Sequence, residues 1–159
     1  MAGPTYKNFA VRDAGTRADT WEIIVEMGTG SSMITLGIWD KKTGGDLDSD
    51  EVKYYPGGMA PVEALGGRLN PTNLTIQRIY DRVDDGAHVT QLLNAVGKGI
   101  MTVTQRALDL DGVGMPKRVI WTGILKRVRV PDVDSETTGA ALIEIEVTVN
   151  AAPVYLTGG

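Results

Sequence analysis

Apolar and polar side chains alternate along several segments of the chain, with the period of two that is typical of strands having one buried face. Residues 141–150 show this most clearly, because aliphatic side chains occupy one side from Ile143 to Val149 while glutamates share the other. Related patterns predict further strands over residues 19–27, 31–39, 52–55, 73–80, 100–107 and 118–130. The hydrophobic pattern therefore predicts roughly seven strands.

One segment has helical rather than strand spacing. Its apolar stripe consists of Val89, Leu92, Leu93 and Val96. These positions follow the i, i+3, i+4, i+7 spacing of one helix face, so the stripe predicts a helix that lies on a sheet. Asp84 or Asp85 is suited to the N-cap and Gly97 to the C-terminal end, which sets the predicted range at 84–97.

The number and type of these elements indicate a mainly β fold, an antiparallel β-sandwich or barrel with one flanking α-helix. We expect a single β domain over residues 19–150. It contains a long polar segment over 40–56 that is interpreted as an exposed loop, and loops of this length usually have a function. Residues 1–18 are interpreted as an N-terminal arm and residues 151–159 as a short C-terminal tail.

Composition narrows the possible chemistry. The chain has 159 residues, and its 20 glycines and one phenylalanine favour a turn-rich β protein. Because it has no cysteine, disulfides, thiolate metal sites and cysteine catalysis are excluded. The one histidine, His88, excludes multi-histidine zinc sites and is interpreted as a surface residue. The net charge of −4 lacks the basic excess of a tight nucleic-acid binder. We see no secretory signal in residues 1–15 and no apolar run long enough to span a membrane.

The acidic run of the 40–56 segment resembles the start of a calcium loop. Its members are Asp46, Asp48, Asp50 and Glu51. The pattern fails because Glu51 occupies the position that needs glycine, and Gly57 the position that needs a bidentate glutamate. We interpret these carboxylates as a solvated segment that matches the surface of a partner.

Other charged residues also favour a structural interpretation. Glu144 and Glu146 lie two apart on one strand, whereas a catalytic acid/base pair normally converges from different elements. A basic cluster comprises Lys117, Arg118, Lys126, Arg127 and Arg129. It is suited to phosphates or to acidic segments of a neighbouring subunit. We favour subunit pairing for Lys126, Arg127 and Arg129, and expect no catalytic residue, cofactor or metal ion.

The order of several short motifs is informative. A strand ends in Tyr-Pro-Gly-Gly (55–58), and Leu-Gly-Gly-Arg (65–68) and Asn-Leu-Thr-Ile-Gln-Arg (73–78) follow. Further along, Trp-Thr-Gly-Ile-Leu-Lys-Arg-Val-Arg-Val (121–130) precedes a Pro-Asp loop and Ala-Ala-Leu-Ile-Glu-Ile-Glu-Val (140–147). This arrangement, spanning roughly residues 50–150, resembles the tail tube proteins of tailed bacteriophages, particularly the family that includes the T4 tube protein.

The resemblance implies a phage tail tube fold and a structural virion protein. Such proteins form hexameric rings that stack into a hollow tube, through which the genome passes into the host. The implied partners are other copies of the chain, the tape measure protein, double-stranded DNA in the lumen without specific binding, the tail terminator, baseplate or tip proteins and, in contractile tails, a sheath. No membrane is involved, and the protein would reside in the virion after assembly in the host bacterial cytoplasm.

Specific residues acquire expected roles from this resemblance. The glutamates expected to line the channel are Glu22, Glu26, Glu144 and Glu146. The acidic run Asp46, Asp48, Asp50 and Glu51 is expected to reach a neighbouring subunit or the next ring, and residues 1–18 to become ordered on assembly. An acidic channel would let DNA pass, because clustered lysine or arginine would bind its phosphates.

Alternatives remain open at this stage. The sequence has Val149-Asn150-Ala151 where the family often has His-Glu-Gly, which leaves the contractile or non-contractile lineage undecided. The chain would also suit the inner tube of a contractile injection or type VI-like secretion system. A soluble β-barrel binding module is less favoured, and an enzyme with a loop-borne carboxylate site is the least favoured.

Overall fold

In a computed structural model, residues 21–80, 86–109, 111–131 and 139–157 are described, and within them the chain forms twelve strands and one α-helix. The strands are β1 (Trp21–Met27), β2 (Ile34–Trp39), β3 (Lys41–Gly44), β4 (Leu47–Ser49), β5 (Val52–Tyr54), β6 (Glu63–Leu65), β7 (Leu69–Pro71), β8 (Leu74–Ile79), β9 (Ile100–Leu108), β10 (Gly114–Arg129), β11 (Leu142–Val149) and β12 (Val154–Leu156). Helix α1 is Gly86–Ala95. The predicted mainly β fold with one flanking helix is confirmed.

The main sheet is antiparallel and has the strand order β2-β1-β9-β10-β11-β8-β3, with β12 added beside β10. Its two ends meet at Asp40, where β2 runs directly into β3. The Asp40 amide donates to the carbonyl oxygen of Gln77 (3.0 Å), and the amide of Ile79 donates to Asp40 Oδ2 (3.1 Å). Arg78 also donates to the carbonyl oxygen of Leu36 (3.2 Å), so the sheet curls into a barrel whose first and last strands are joined.

The interior of this barrel is the hydrophobic core. Residues predicted to face inward from alternation are buried, including Val25 on β1, Leu74 and Ile76 on β8, and Ile145 and Val147 on β11, each fully shielded. Burial of each such side chain contributes about 1.5–3 kcal/mol. The core therefore lies inside a single chain, and the outer face of the sheet remains for other contacts.

Helix α1 lies on the sheet as predicted, but turned by about one residue position. Leu92 is fully buried, whereas Leu93 and Val96, predicted in the buried stripe, are 50% and 39% exposed. His88, predicted as a surface residue, is half-buried, and its Nδ1 has no hydrogen-bond partner among the described atoms. Leu92 belongs to the core and Val89 and Ala95 pack against it, so this helix face, with the half-buried His88 beside it, contacts the sheet.

The predicted end of the helix is confirmed, since Gly97 adopts φ +84° and donates its amide to the carbonyl oxygen of Leu125 (2.7 Å) on β10. The amide of Leu125 in turn donates to the carbonyl oxygen of Gly99 (2.9 Å), which fastens this end of the helix to the sheet. Asp84 and Asp85, the candidate N-caps, lie outside the described residues, as does the N-terminal arm over 1–18.

The largest difference from the sequence prediction concerns residues 40–72. The segment over 40–56 is mostly exposed, as predicted, but it is not a loop: β4 pairs with β7, and β5, which matches the strand predicted over 52–55, pairs with β6. These pairs continue the β3–β8 ladder, so residues 45–72 form a two-stranded extension of the barrel. We call this extension the arm; it is distinct from the predicted N-terminal arm over residues 1–18. The C-terminal segment also differs from the predicted tail, because β12 pairs with Arg118–Ile120 of β10.

The base of the arm is fixed by Gly44 and Gly45, which both adopt left-handed backbone conformations (φ +84° and +79°). A Cβ on Gly45 would lie 2.6 Å from the side chain of Leu74, so only glycine fits there. The indole of Trp121 donates to the carbonyl oxygen of Gly45 (3.0 Å), and the Lys42 ammonium lies 4.1 Å from the centre of the Trp121 ring. These contacts tie the start of the arm to the barrel.

Candidate assembly surfaces

Two rows of polar side chains cross the outer face of β10, β11, β8 and β3. The pairing register places Arg129, Glu144, Gln77 and Lys41 in one row, and Arg127, Glu146, Thr75 and Thr43 in the next. We call this surface the polar sector. It contains two of the four glutamates that were expected to line a channel.

The glutamates of the polar sector are neutralised within the chain. Arg127 Nη2 lies 3.2 Å from Glu144 Oε1 and 3.2 Å from Glu146 Oε2. Lys126 Nζ lies 3.3 Å from Glu146 Oε1, while Gln77 donates to Glu144 (2.6 Å) and Asn73 to Glu146 (3.3 Å). The sequence assigned Glu144 and Glu146 to the channel and Lys126 and Arg127 to subunit pairing, but in the structure these four side chains are neighbours on one face.

The surroundings of Glu146 shift its titration. Its side chain is 16% exposed, and this burial alone would raise its pKa. Hydrogen bonds from Lys126 and Asn73, with the charges of Lys126 and Arg127, outweigh burial and hold the pKa of Glu146 below its usual value. The ionised form is therefore favoured by the folded chain.

We expect the stability lost on replacing Glu146 with glutamine (E146Q) to depend on pH. Because the folded pKa is lowered, the contribution of Glu146 is fully present above its unfolded pKa and disappears as the pH falls through the folded pKa. Urea unfolding should therefore show E146Q to be less stable than the native chain at neutral pH, with the difference narrowing as the pH is lowered into the range in which Glu146 is protonated in the folded chain.

The matched control is E51Q. Glu51 pairs with Lys53 at 3.3 Å, but the two side chains are 70% and 52% exposed, so the change should be small at either pH. An E146Q deficit that is the same at acid and neutral pH would contradict the assignment of this network.

Glu22 and Glu26 lie elsewhere on the barrel. Both project outward from β1, which β9 and β10 separate from β11. Glu22 accepts hydrogen bonds from the Arg106 guanidinium on β9, and Glu26 lies between Thr35 and Thr102 in the pairing register. The four predicted glutamates therefore occupy two separate parts of the outer face, which alternation alone cannot reveal.

The arm brings together the acidic run predicted as a partner-binding segment. Asp46, Asp48, Asp50 and Glu51 all lie on its outgoing strand and are exposed. With Glu63, Lys53 and Arg68, the arm carries five acidic and two basic side chains, a net charge of −3. Its exposed large apolar side chains are Leu47, Val52, Tyr54, Tyr55, Met59, Val62, Leu65 and Leu69. Nearly every residue from 46 to 70 is exposed, so the barrel does not cover the arm.

The sequence contained a signal for this hairpin that was not used. Val52-Lys53-Tyr54 and the segment after Pro61 flank a Pro-Gly-Gly turn (56–58), and Gly58 adopts φ +69°. Apolar residues flanking a glycine turn are a hairpin pattern. The many exposed polar residues of this segment obscured the hairpin pattern, because a strand is usually recognised by one apolar face that it buries.

Neither metal ligation nor membrane crossing is evident in the described part of the chain. The histidine and acidic side chains there form no group of three that could hold a metal ion. No helix among these residues is long and apolar enough to cross a bilayer.

Comparison with solved structures identifies the fold. No protein family profile and no curated protein sequence matches the chain. A chain of the anti-feeding prophage baseplate matches with a TM-score of 0.64 at 12% identity, covering 99% of this chain and 98% of that one. A chain of the anti-feeding prophage cap that terminates the tube gives 0.63 at 13% identity, with 84% and 88% covered. A chain of the PVC sheath-tube complex, from an extracellular contractile injection system, gives 0.57 at 19% identity, with 84% and 86% covered.

The chain thus has a fold found in components of contractile, tail-like injection particles. The fold that the motifs implied, that of tail tube-related proteins, is confirmed. At these identities, the likeness is one of fold.

Proposed function

We propose that the chain is a non-catalytic structural subunit of a phage tail or a tail-like injection particle, and that its copies form rings that stack into a hollow tube. Two observations together support this proposal. The fold of almost the whole chain matches a chain of an injection particle, and the barrel leaves the arm uncovered. The sequence resemblance to tube proteins supports hexameric rings. The implied contacts with terminator, baseplate and sheath proteins belong to the same proposal.

The length of the arm supports contact between copies. From Gly45 to Tyr54 its outgoing strand spans roughly 30 Å, at about 3.3 Å per residue. A two-stranded ribbon of this size is at best marginally stable alone in water, and exposed strand edges tend to pair with other chains. We therefore assign the arm, with its acidic run, to contacts with a neighbouring copy in the same ring or the next.

The polar sector is the part of the outer face best suited to line an aqueous channel. Glu144 and Glu146 lie there with threonine and glutamine neighbours and balancing cations. Such a lining offers water hydrogen bonds, and Glu144 and Glu146 offset two of its four positive charges (Lys41, Lys126, Arg127 and Arg129), which would otherwise bind DNA phosphates more strongly. Glu22 and Glu26 belong to a different part of the sheet, so we limit the channel assignment to Glu144 and Glu146.

Negative-stain electron microscopy and gel filtration of the purified chain test this proposal. We expect rings or fibres with a central hole, in an amount that increases with protein concentration, because ring closure and stacking join separate copies. A chain that remains a monomer at high concentration would instead favour a small β-barrel binding module.

The second candidate function is that of a subunit located at one end of the tube. Two of the matched chains belong to a baseplate and to a cap, and the baseplate match covers almost all of both chains. Discrete rings that never extend into fibres would favour such a terminal position over the repeated tube. Fibres of unlimited length would favour the tube.

A further inference from the structure

An aliphatic row crosses the outer face of the barrel on the side away from the polar sector. The pairing register places Ile38, Ile24, Thr104, Ile120 and Val154 side by side across β2, β1, β9, β10 and β12. Ile38, Ile24, Thr104 and Ile120 are on the outside, because a neighbour of each along its strand (Trp39, Val25, Val103 and Trp121) is buried in the core. Val154 joins them through its register with Ile120 and is itself exposed. We call this surface the aliphatic row.

The two ends of the row are exposed, and Ile24, Thr104 and Ile120 between them are half-buried. Ile38 and Val154, at its two ends, are 59% and 53% exposed. Large apolar side chains that remain exposed at both ends of such a row are suited to contact with another molecule. On one side the row borders Glu22, Arg106 and Arg118, of which Glu22 and Arg106 are paired with each other, and the exposed Lys117 lies next along β10.

The arm has the complementary features. Val52 and Leu65 face each other across its ladder, and Tyr54 lies on the same face one rung further out. These three side chains are 43%, 48% and 54% exposed, so the barrel of the same chain does not receive them. They are flanked by Asp50, Glu51 and Glu63, which carry charge opposite to that of Lys117 and Arg118.

We propose that the aliphatic row is the receptor for the arm of a second copy. The inference rests on the proposed function and deepens it by naming both contacting surfaces. Docking would bury the Val52, Tyr54 and Leu65 face against Ile24, Ile38 and Ile120, with the acidic edge of the arm beside Lys117. The polar sector remains uncovered and available to water, since it lies across the barrel from this contact.

Cysteine cross-linking tests the contact directly, because the native chain has no cysteine. One population carries Y54C on the arm, and a second carries I38C in the aliphatic row. When the two are mixed, assembled and oxidised, we expect covalent dimers, because docking brings the two thiols within bonding range. Single-cysteine populations ensure that every cross-link joins two copies.

The matched control mixes Y54C with T148C. Thr148 is exposed on the outer face of β11, next to Glu146 along the strand, and the inference keeps this region away from the arm. We expect several-fold fewer dimers from this mixture than from Y54C with I38C. Electron microscopy of each mixture establishes separately that assemblies have formed.

The outcomes separate the two proposals. Normal assemblies in which Y54C joins T148C as well as or better than I38C would overturn the receptor assignment and leave the proposed function intact. A cross-link from I38C to a different injection-particle protein, in place of Y54C, would show that the row receives that protein and would overturn the receptor assignment. A native chain that never assembles would overturn the proposed function and the receptor together.

Discussion

A chain whose arm is shortened is expected to fold as a barrel and to lose assembly. Replacing residues 50–68 with Asn-Gly would join Ser49 to Leu69, which already face each other in the β4–β7 pair, by a two-residue turn of the type that hairpins favour. The deletion removes Val52, Tyr54 and Leu65, the apolar face that we assign to a neighbouring copy. Rings and fibres should be absent by electron microscopy, and the chain should elute as a monomer.

The barrel should survive this change because the deleted residues contribute nothing to its core. Every residue of the core cluster lies outside 50–68, and the contacts of Gly45 with Trp121 at the base of the arm are retained. Circular dichroism and thermal unfolding should therefore resemble those of the native chain. Full assembly of the shortened chain would contradict the role of the arm, whereas loss of the folded barrel would show that the arm supports the fold.

A milder substitution separates the apolar face from the length of the arm. Y54S with L65S keeps the ladder and its charges but removes two apolar side chains, and it should weaken assembly without changing the barrel. Y55S removes an exposed tyrosine just beyond the paired strands and serves as its control. The proposal requires the double variant to have the larger effect.

Period-two alternation predicted the barrel strands because their inner faces are continuously apolar. Within the arm the sequence predicted only β5, as a strand over 52–55, and missed β4, β6 and β7, whose few residues are almost all exposed and therefore have no buried side to set a pattern. It also failed for β12, where only three residues, Val154–Leu156, pair with β10. Short strands that bury neither face leave little trace in the hydrophobic pattern of the chain.

The polar sector illustrates a second limit. The register of β10 against β11 shifts between Leu125 and Arg127, so Lys126 is an additional residue on that strand. As a result, Lys126 and Arg127 are both exposed and Val128 packs against the core. The shift also places Arg127 opposite Glu146. Strict alternation would have put Arg127 on the inner face, and for this reason the sequence could not predict the ion pairs.

The ion pairs of Glu144 and Glu146 with Lys126 and Arg127 determine how a change of charge should affect DNA in the proposed channel. If the polar sector lines the channel, replacing Glu144 and Glu146 with lysine (E144K/E146K) should make the tubes retain more double-stranded DNA, because the change removes both carboxylates beside four cations and adds two more cations. Each chain would change by four charge units, from a net −4 to 0, and all of the change would fall beside Lys126 and Arg127. Repeated around a ring, these cations would bind phosphates and release counterions, so retention of double-stranded DNA by sedimented tubes should fall steeply as salt is raised.

The E144Q/E146Q variant is the control for lost ion pairs, because it removes both carboxylates without adding positive charge. If the polar sector lines the channel, it should assemble and retain much less DNA than E144K/E146K at the same low salt. In a complete particle, the lysine variant should also slow ejection of the genome. Equal DNA retention by the native and lysine tubes would place Glu144 and Glu146 outside the channel, because phosphates confined to the lumen would then be unaffected by their charge.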